Sequence, residues 1–410
     1  MATIGDHVAR IRRALPLTQE ALAESAGVSV ETIRKLEQGE RQSARMSTLN
    51  AIARALDVPT TALLGDASTA AARAEPDHRP LSLMDLRRAL TPARGLDGSV
   101  VAGPDVDPPP LDAVRADLRA VDRAYHANDY ATALAALPGL LDGARAAAAE
   151  ADDVDRGRAY ALVARSHHLT GNLLIQLRAG DLAYRALTAA LDAAEESGDQ
   201  VVGATVLQGM TWLLLRQGRF GEAEQLAVST ADRIEPRFSR ATPDELAAWG
   251  WLLMGAAAAA ARDNRTDAAV ELIDSAAAAA VRIGERSPGG EHLMMVGGFG
   301  VARVEMQRVE TAAVAGEPGR VLALAGRVPP GETAVSSSWN RHQLDVAWAH
   351  AELGQPREAT EVLSEIRRSA APWLRHQRYA RDIVRTLADS RRRAMSRELA
   401  DLASLVGAGS

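Results

Sequence analysis

The sequence contains no cysteine. That excludes disulfides, thiolate metal sites and a cysteine nucleophile. Aromatic residues make up only 3%, and Lys35 is the one lysine among 47 basic residues. Arginine abundance here therefore reflects genome composition as much as function, and the alanine- and arginine-rich balance points to an actinobacterial source. Long apolar runs are also missing. The longest, residues 246–261, is largely alanine and falls short of the about 20 strongly apolar residues that a membrane span needs. The first residues carry Asp6, Arg10, Arg12 and Arg13 and no apolar signal-peptide core. A cytoplasmic chain with no membrane partner is expected. Alternating Val/Ile/Thr runs bounded by turn signals are absent, so essentially no sheet is expected.

Catalytic and cofactor patterns are lacking too. There is no HExxH, no EF-hand loop and no GxSxG elbow. His167 and His168 are adjacent, so on a helix they point about 100° apart and do not converge on one metal. Gly297-Gly298-Phe299-Gly300 lacks the Lys-Ser/Thr of a phosphate loop and reads as a helix start or a close packing site. No metal, no cofactor and no enzymatic activity are expected. The net charge of -6 argues against a chain that coats nucleic acid along its whole surface, but leaves room for a small DNA-reading part.

What is present is an all-α pattern in three regions. The 410 residues, 47% hydrophobic, suffice for two or more cored domains. Residues 1–64 are compact and helix-periodic. Residues 65–110 hold seven of the 18 prolines and read as a linker, with one short helix possible over residues 81–90. Residues 111–406 are alanine-rich and repeat a polar turn followed by a helix start. The markers are Asn128, Gly180, Gly218, Asn264, Gly316 and Gly354, spaced by 52, 38, 46, 52 and 38 residues. A small residue follows each: Ala133, Ala186, Ala223, Ala268, Val321 and Ala359. Glycine or asparagine suits a left-handed residue closing a helix, and alanine permits close helix approach. This pattern resembles degenerate tetratricopeptide repeats, which implies an α-solenoid; an unrelated helical bundle is the alternative.

In residues 1–64, Val8, Ile11 and Leu15 place apolar groups on one face of a first helix. Thr18 caps a second, Gly27 ends it, and Ser29 caps a third over residues 30–38. Residues 47–56 and 60–64 complete five helices. The segment LTQEALAESAGVSVETIRKLEQGER resembles the helix-turn-helix of the phage-repressor and xenobiotic-response-element family. The resemblance implies a five-helix DNA-binding domain whose third helix enters the major groove. It implies base contacts by Val30, Glu31 and Lys35, and backbone contacts by Gln19, Ser29, Thr32, Arg34, Gln38, Arg41 and Arg45. Glu31 suits cytosine N4, Lys35 guanine O6/N7 and Val30 a thymine methyl. Glu31 also suits the plain role of an acid near a helix N-terminus. Arg12 and Glu37 match a structural ion pair of the family, and Ile33 and Leu36 belong to the core. Eight basic against seven acidic residues leave this region nearly neutral. One copy should therefore bind double-stranded DNA weakly, which favours a homodimer on a two-part operator.

Stacked helical hairpins make a concave surface that binds peptides or protein segments. Asn172, Gln176, Gln208, Trp212, Trp249, Arg303, Asn340 and Gln343 are the candidates there, by their amides, rings and charge. The plainer reading is that the tryptophans fill the core and the amides face solvent. Arg378, Arg381, Arg385 and Arg392 share a helix face, either as a solvated stripe or as a contact for an acidic partner. The whole chain is similar to repressor-type regulators with tetratricopeptide-like sensor domains from Gram-positive bacteria. Some of those sense secreted oligopeptides, which implies an oligopeptide or protein ligand on the concave face. The alternative is an interaction scaffold localised to DNA with no small effector.

Overall fold

The computed structural model describes residues 3–15, 17–40, 44, 46–56, 58, 60–64, 83–93, 95–96, 107–284, 298–328, 337–389 and 396–408. These residues are all-α, with no strand. No described helix is long and apolar enough to cross a membrane. Helices α1 (Ile4–Ala14), α2 (Gln19–Ala26), α3 (Val30–Glu37), α4 (Met46–Ala55) and α5 (Thr61–Leu64) form the N-terminal unit. Their starts are set by side chains. Thr3, Thr18 and Ser29 each accept a hydrogen bond from the N–H three residues on, at 3.1, 3.0 and 3.2 Å. Thr3 and Asp6 complete a capping box.

Val8, Leu22, Ile33, Leu36, Ile52 and Leu63 are fully buried between these helices. Leu15 does not join them. It is 44% exposed, because α1 stops at Ala14 and Leu15 serves as its cap. The tightest approach is between α1 and α3. A Cβ on Gly5 would lie 1.7 Å from the Leu36 carbonyl oxygen, so only glycine fits there.

Within the stretch read as a linker, α6 (Met84–Leu90) packs on the repeat region: its Leu86, Ala89 and Leu90 are buried in that core, and Arg145 donates to the Ala89 carbonyl at 2.9 Å. Six hairpins follow: α7 (Leu111–His126) with α8 (Tyr130–Ala149), α9 (Arg156–Gln176) with α10 (Gly180–Ser197), and α11 (Gln200–Arg216) with α12 (Phe220–Arg233). The series continues with α13 (Pro243–Arg262) and α14 (Thr266–Ile283), α15 (Val301–Ala315) and α16 (Pro318–Ala325), and α17 (Ser337–Glu352) and α18 (Pro356–Arg375). α19 (Arg378–Asp389) and α20 (Arg397–Val406) end the array.

Every hairpin turn is closed in the same way. A left-handed residue sits at Asn128, Arg178, Gly218, Asn264, Gly316 and Gly354. The N–H of the next residue donates back to the carbonyl five positions earlier. These bonds, such as Asp129 to Ala124 and Gln355 to His350, measure 2.9 to 3.0 Å. Five residues after each left-handed position stands a fully buried small residue: Ala133, Ala183, Ala223, Ala269, Val321 and Ala359. Three sequence markers are corrected by this rule. At the second turn Arg178 (φ 60) takes the left-handed place, Gly180 merely starts α10, and Ala183 rather than Ala186 stands five places on, although both are fully buried. At the fourth, Ala269 rather than Ala268 is the residue fully buried at the crossing.

First helices pack on first helices in the order α7, α9, α11, α13, α15, α17, α19. Among second helices the corresponding lateral packing is largely missing. In a curved row the inner elements lie closer together, so the first helices line the concave side. The row curls until its ends meet. The rings of Tyr130 and His376 are 6.3 Å apart, and Arg178 reaches the His376 carbonyl at 3.5 Å. Phe299 seats in the gap left by Gly250 of α13, a close packing site, while Gly297 lies outside the described residues.

The N-terminal unit rests on the turn edge of this row. Phe220, the first residue of α12, is buried in the N-terminal core beside Leu215. From α4, Asn50 donates to the Val314 carbonyl at 3.3 Å, and Arg54 donates to the Ala315 carbonyl at 3.2 Å and to Asn264 at 3.4 Å.

Gly5→Ala should therefore force α1 from α3 and destabilise the N-terminal unit by at least about 2 kcal/mol. Gly139→Ala, in α8 with open space around its Cβ position, should be neutral or stabilise by up to about 1 kcal/mol. Urea melts of the two full-length variants decide this; a tolerated alanine at position 5 would contradict the close approach.

Candidate DNA interface and concave face

The turn between α2 and α3 is local chemistry. Gly27 adopts φ 62, and Val28 donates to the Ala23 carbonyl at 3.0 Å. Ser29 then opens α3, its hydroxyl 2.8 Å from that of Thr32. Ile33 and Leu36 point into the core, which turns Val30, Glu31, Arg34 and Lys35 outward. Val30 is 39% exposed, an apolar side chain held in water at the head of the helix. Glu31 pairs with Arg34 and lies 3.3 Å from the Lys35 ammonium. Gln38 is exposed and Thr32 half-buried, while Arg41 and Arg45 lie outside the described residues.

Behind this surface a polar clamp fixes α3 against α1 and α2. Arg12 binds Glu37 through two nitrogens at 2.7 and 2.8 Å and donates to the Leu17 carbonyl at 2.7 Å. The Gln19 amide donates to Glu37 at 2.7 Å. Burial pushes the Glu37 carboxyl up, but Arg12 and Gln19 outweigh that and hold it below the ordinary carboxylate range. The ion pair expected between Arg12 and Glu37 is thus present. Gln19 is fixed by it at the start of α2, half-buried at the edge of the exposed surface.

On the concave side, the sequence candidates have different surroundings. Asn172 is 5% exposed, and its amide nitrogen lies 3.1 Å from His168 Nε2; that ring nitrogen and the Asn172 Oδ1 sit close against Gly209 of α11. Burial pushes His168 down to about 4 and the neighbouring His167 down to about 3, so both are neutral core groups. Gln176 is buried beside Tyr125, and Asn340 is 1% exposed. Gln208 and Gln343 are half-buried. Trp212 packs on the apolar core, and Trp249 meets Phe238 edge-on at 5.7 Å. On α19, Arg378 and Arg385 are exposed, Arg381 donates to the Val406 carbonyl at 2.8 Å and so closes α20, and Arg392 lies outside the described residues.

Arg303 is the candidate that belongs to a larger assembly. Its guanidinium stands 4.8 Å from the Trp251 ring centroid, and its Nε is buried without a hydrogen-bond partner. Around it first helices bring further charges together. Arg262 pairs with Glu310 and donates to the Ala258 carbonyl at 3.0 Å. Arg341 lies 4.4 Å over the Tyr379 ring and 3.7 Å from Asp345. Burial opposes ionisation of Glu310, but Arg262, Arg341 and Arg303 hold it well below the carboxylate range. Burial pushes Asp345 up, against the pull of Arg341.

Arg216, at the end of α11, keeps exposed surface although protein surrounds it. That enclosure pushes it down to about 10, with Arg341, Arg178 and Arg262 adding to the shift. Arg216 has no hydrogen bond or ion pair among the described residues. Sequence reasoning missed this assembly apart from Arg303. One signal was present: Arg216 and Arg262 each stand two places before a left-handed turn residue.

Residues 8–63 match the helix-turn-helix family. The N-terminal unit is accordingly a helix-turn-helix DNA-binding domain. No curated protein matches the chain in sequence. A solved structure similar to it is that of Bacillus thuringiensis PlcR in complex with the peptide PapR7 and DNA. It is 12% identical, with a TM-score of 0.36, covering 88% of this chain and 99% of that one.

Glu37→Gln should weaken the clamp and destabilise the DNA-binding domain by about 1.5 to 3 kcal/mol near neutral pH. Because the folded carboxyl is lowered, its contribution is complete above the unfolded carboxylate range and fades as pH falls through the lowered value. Melts of wild type and variant across pH should converge under acid conditions. A constant difference at all pH values would contradict the charge-assisted clamp.

Proposed function

We propose that the chain is a homodimeric, sequence-specific transcriptional regulator whose concave face takes an oligopeptide effector. The observation that carries the DNA-reading part is the outward face of α3: an exposed Val30 beside Glu31, Arg34 and Lys35 on a helix otherwise locked into the core. In this reading Val30, Glu31 and Lys35 touch base edges. Gln19, Ser29, Thr32, Arg34, Gln38, Arg41 and Arg45 contact the backbone. Glu31 must exchange its intrahelical cations for a base edge, which sharpens discrimination. Dimerisation is supported by the near-neutral charge of residues 1–64, since one copy gains little from phosphate attraction.

The route for regulation is α15. It carries Arg303 and Glu310 toward the concave side, and one turn further its Val314 and Ala315 carbonyls receive Asn50 and Arg54 of α4. A ligand that favours one placement of α15 shifts how the DNA-binding domain is held, provided its affinity differs between the two placements.

Site selection from random duplexes tests the reading. Glu31→Ala should relax one position in each half-site, a change of about 1 to 3 kcal/mol in discrimination. Gln19→Ala should weaken all sites alike. An unchanged preferred sequence for Glu31→Ala rejects α3 as the reader. Light scattering and operator titration should give a dimer whose affinity changes with culture extract. Constitutive binding with a protein co-purifying on residues 111–410 would favour a scaffold instead.

A further inference from the structure

The concave side holds more positive charge than its own acids neutralise. Glu310 answers Arg262, and Asp345 answers Arg341. Arg216 and Arg303 are left without a carboxylate bound to them among the described residues. Arg178 adds a further cation; protein around it, together with Arg378 and Arg381, lowers its pKa, and Asp382 partly offsets this. Arg216 lies on α11 and Arg341 on α17, yet the charge of Arg341 acts on Arg216. The main packing partners of α11 are α9, α10, α12 and α13, and those of α17 are α15, α16, α18 and α19. The two arginines therefore interact across the interior of the curve. Guanidinium groups gathered there, partly stripped of water and mutually repelling, cost stability in the free protein. They match what carboxylate or phosphate groups need: several fixed donors, with Trp251 and Tyr379 holding two of the planes.

We infer that the concave face binds an anionic ligand, whose carboxylate or phosphate groups are received by Arg216 and Arg303 with Arg178 and Arg341 around them. This rests on reading the concave face as the effector site, and it narrows the effector to acidic chemistry. Glu310 and Asp345 act as positioning groups that hold Arg262 and Arg341 in place and set the limit on how much negative charge is accepted.

The test is a set of thermal melts and calorimetric titrations of the full chain at constant ionic strength. The probes are inorganic pyrophosphate, a random hexapeptide pool of net negative charge, and a pool of net positive charge. An anionic probe should raise the wild-type Tm by several degrees, and the cationic pool should not. Pyrophosphate alone would identify a phosphate-bearing ligand, and the acidic peptides would identify a carboxylate-bearing one. Arg216→Gln and Arg303→Gln should each weaken that binding by roughly tenfold or more. Arg216→Lys should retain part of it. Without ligand, Arg216→Gln should melt at or above wild type, since it removes an unanswered cation from among like charges. Three results would overturn the inference: no anionic probe binds; the probes stabilise wild type and Arg216→Gln equally; or Arg216→Gln melts far below wild type, making the residue structural. Anion binding that leaves operator affinity unchanged upholds the site and rejects the effector reading.

Discussion

The repeat domain depends on one closure, made six times. A left-handed residue lets the chain reverse, the following N–H returns to the carbonyl five places back, and a small residue five places on lets the second helix lie against the first. One hairpin built this way exposes its apolar face, so it is stable only against its neighbours. The same closure therefore specifies both the hairpin and the need to stack it. Where the chain places Arg178 instead of glycine or asparagine, the backbone conformation persists, because the bonds and the buried Ala183 around it over-determine the turn.

Stacking with the first helices inward has an electrostatic consequence. The ends of α11 and α13 and the bodies of α15 and α17 carry arginines that would be ordinary surface cations on isolated helices. Curvature gathers them into one space, where protein replaces water and mutual repulsion grows. The two acids among them, Glu310 and Asp345, relieve part of that repulsion. Their opposite pKa directions follow from their surroundings: three guanidiniums hold Glu310 down, whereas Asp345 is more deeply enclosed and is also repelled by Glu310, which outweighs Arg341 and Arg262.

The DNA-binding domain and this interior share a helix. α4 hydrogen-bonds to the last carbonyls of α15, and Phe220 of α12 fills a place in the core of the N-terminal unit. The α3 surface lies elsewhere on that unit, held by the Arg12, Glu37 and Gln19 clamp rather than by the repeat domain. Such an arrangement separates the contacts that fix α3 from the contacts that place the whole unit on the repeat domain.

Much of this was legible in the sequence because it is local. Threonine and serine caps, Gly27 in its turn, and the burial of Ile33 and Leu36 follow from residues a few places apart. So do the hairpin turns, to within a residue or two, and the short α6. The Arg12–Glu37 pair was legible through family resemblance. Gly5 was not, since nothing near it in sequence announces that the Leu36 carbonyl will arrive there. Nor was the burial of Asn172, whose polar side chain looked like a ligand group until His168 and Gly209 enclosed it. The sequence by itself determined the helices, their ends and the outward face of α3, because capping and periodicity act within a few residues. Only the tertiary structure decided which arginines meet and where the DNA-binding domain rests. Both depend on curvature summed over successive hairpin packings, and no single stretch of chain encodes that sum.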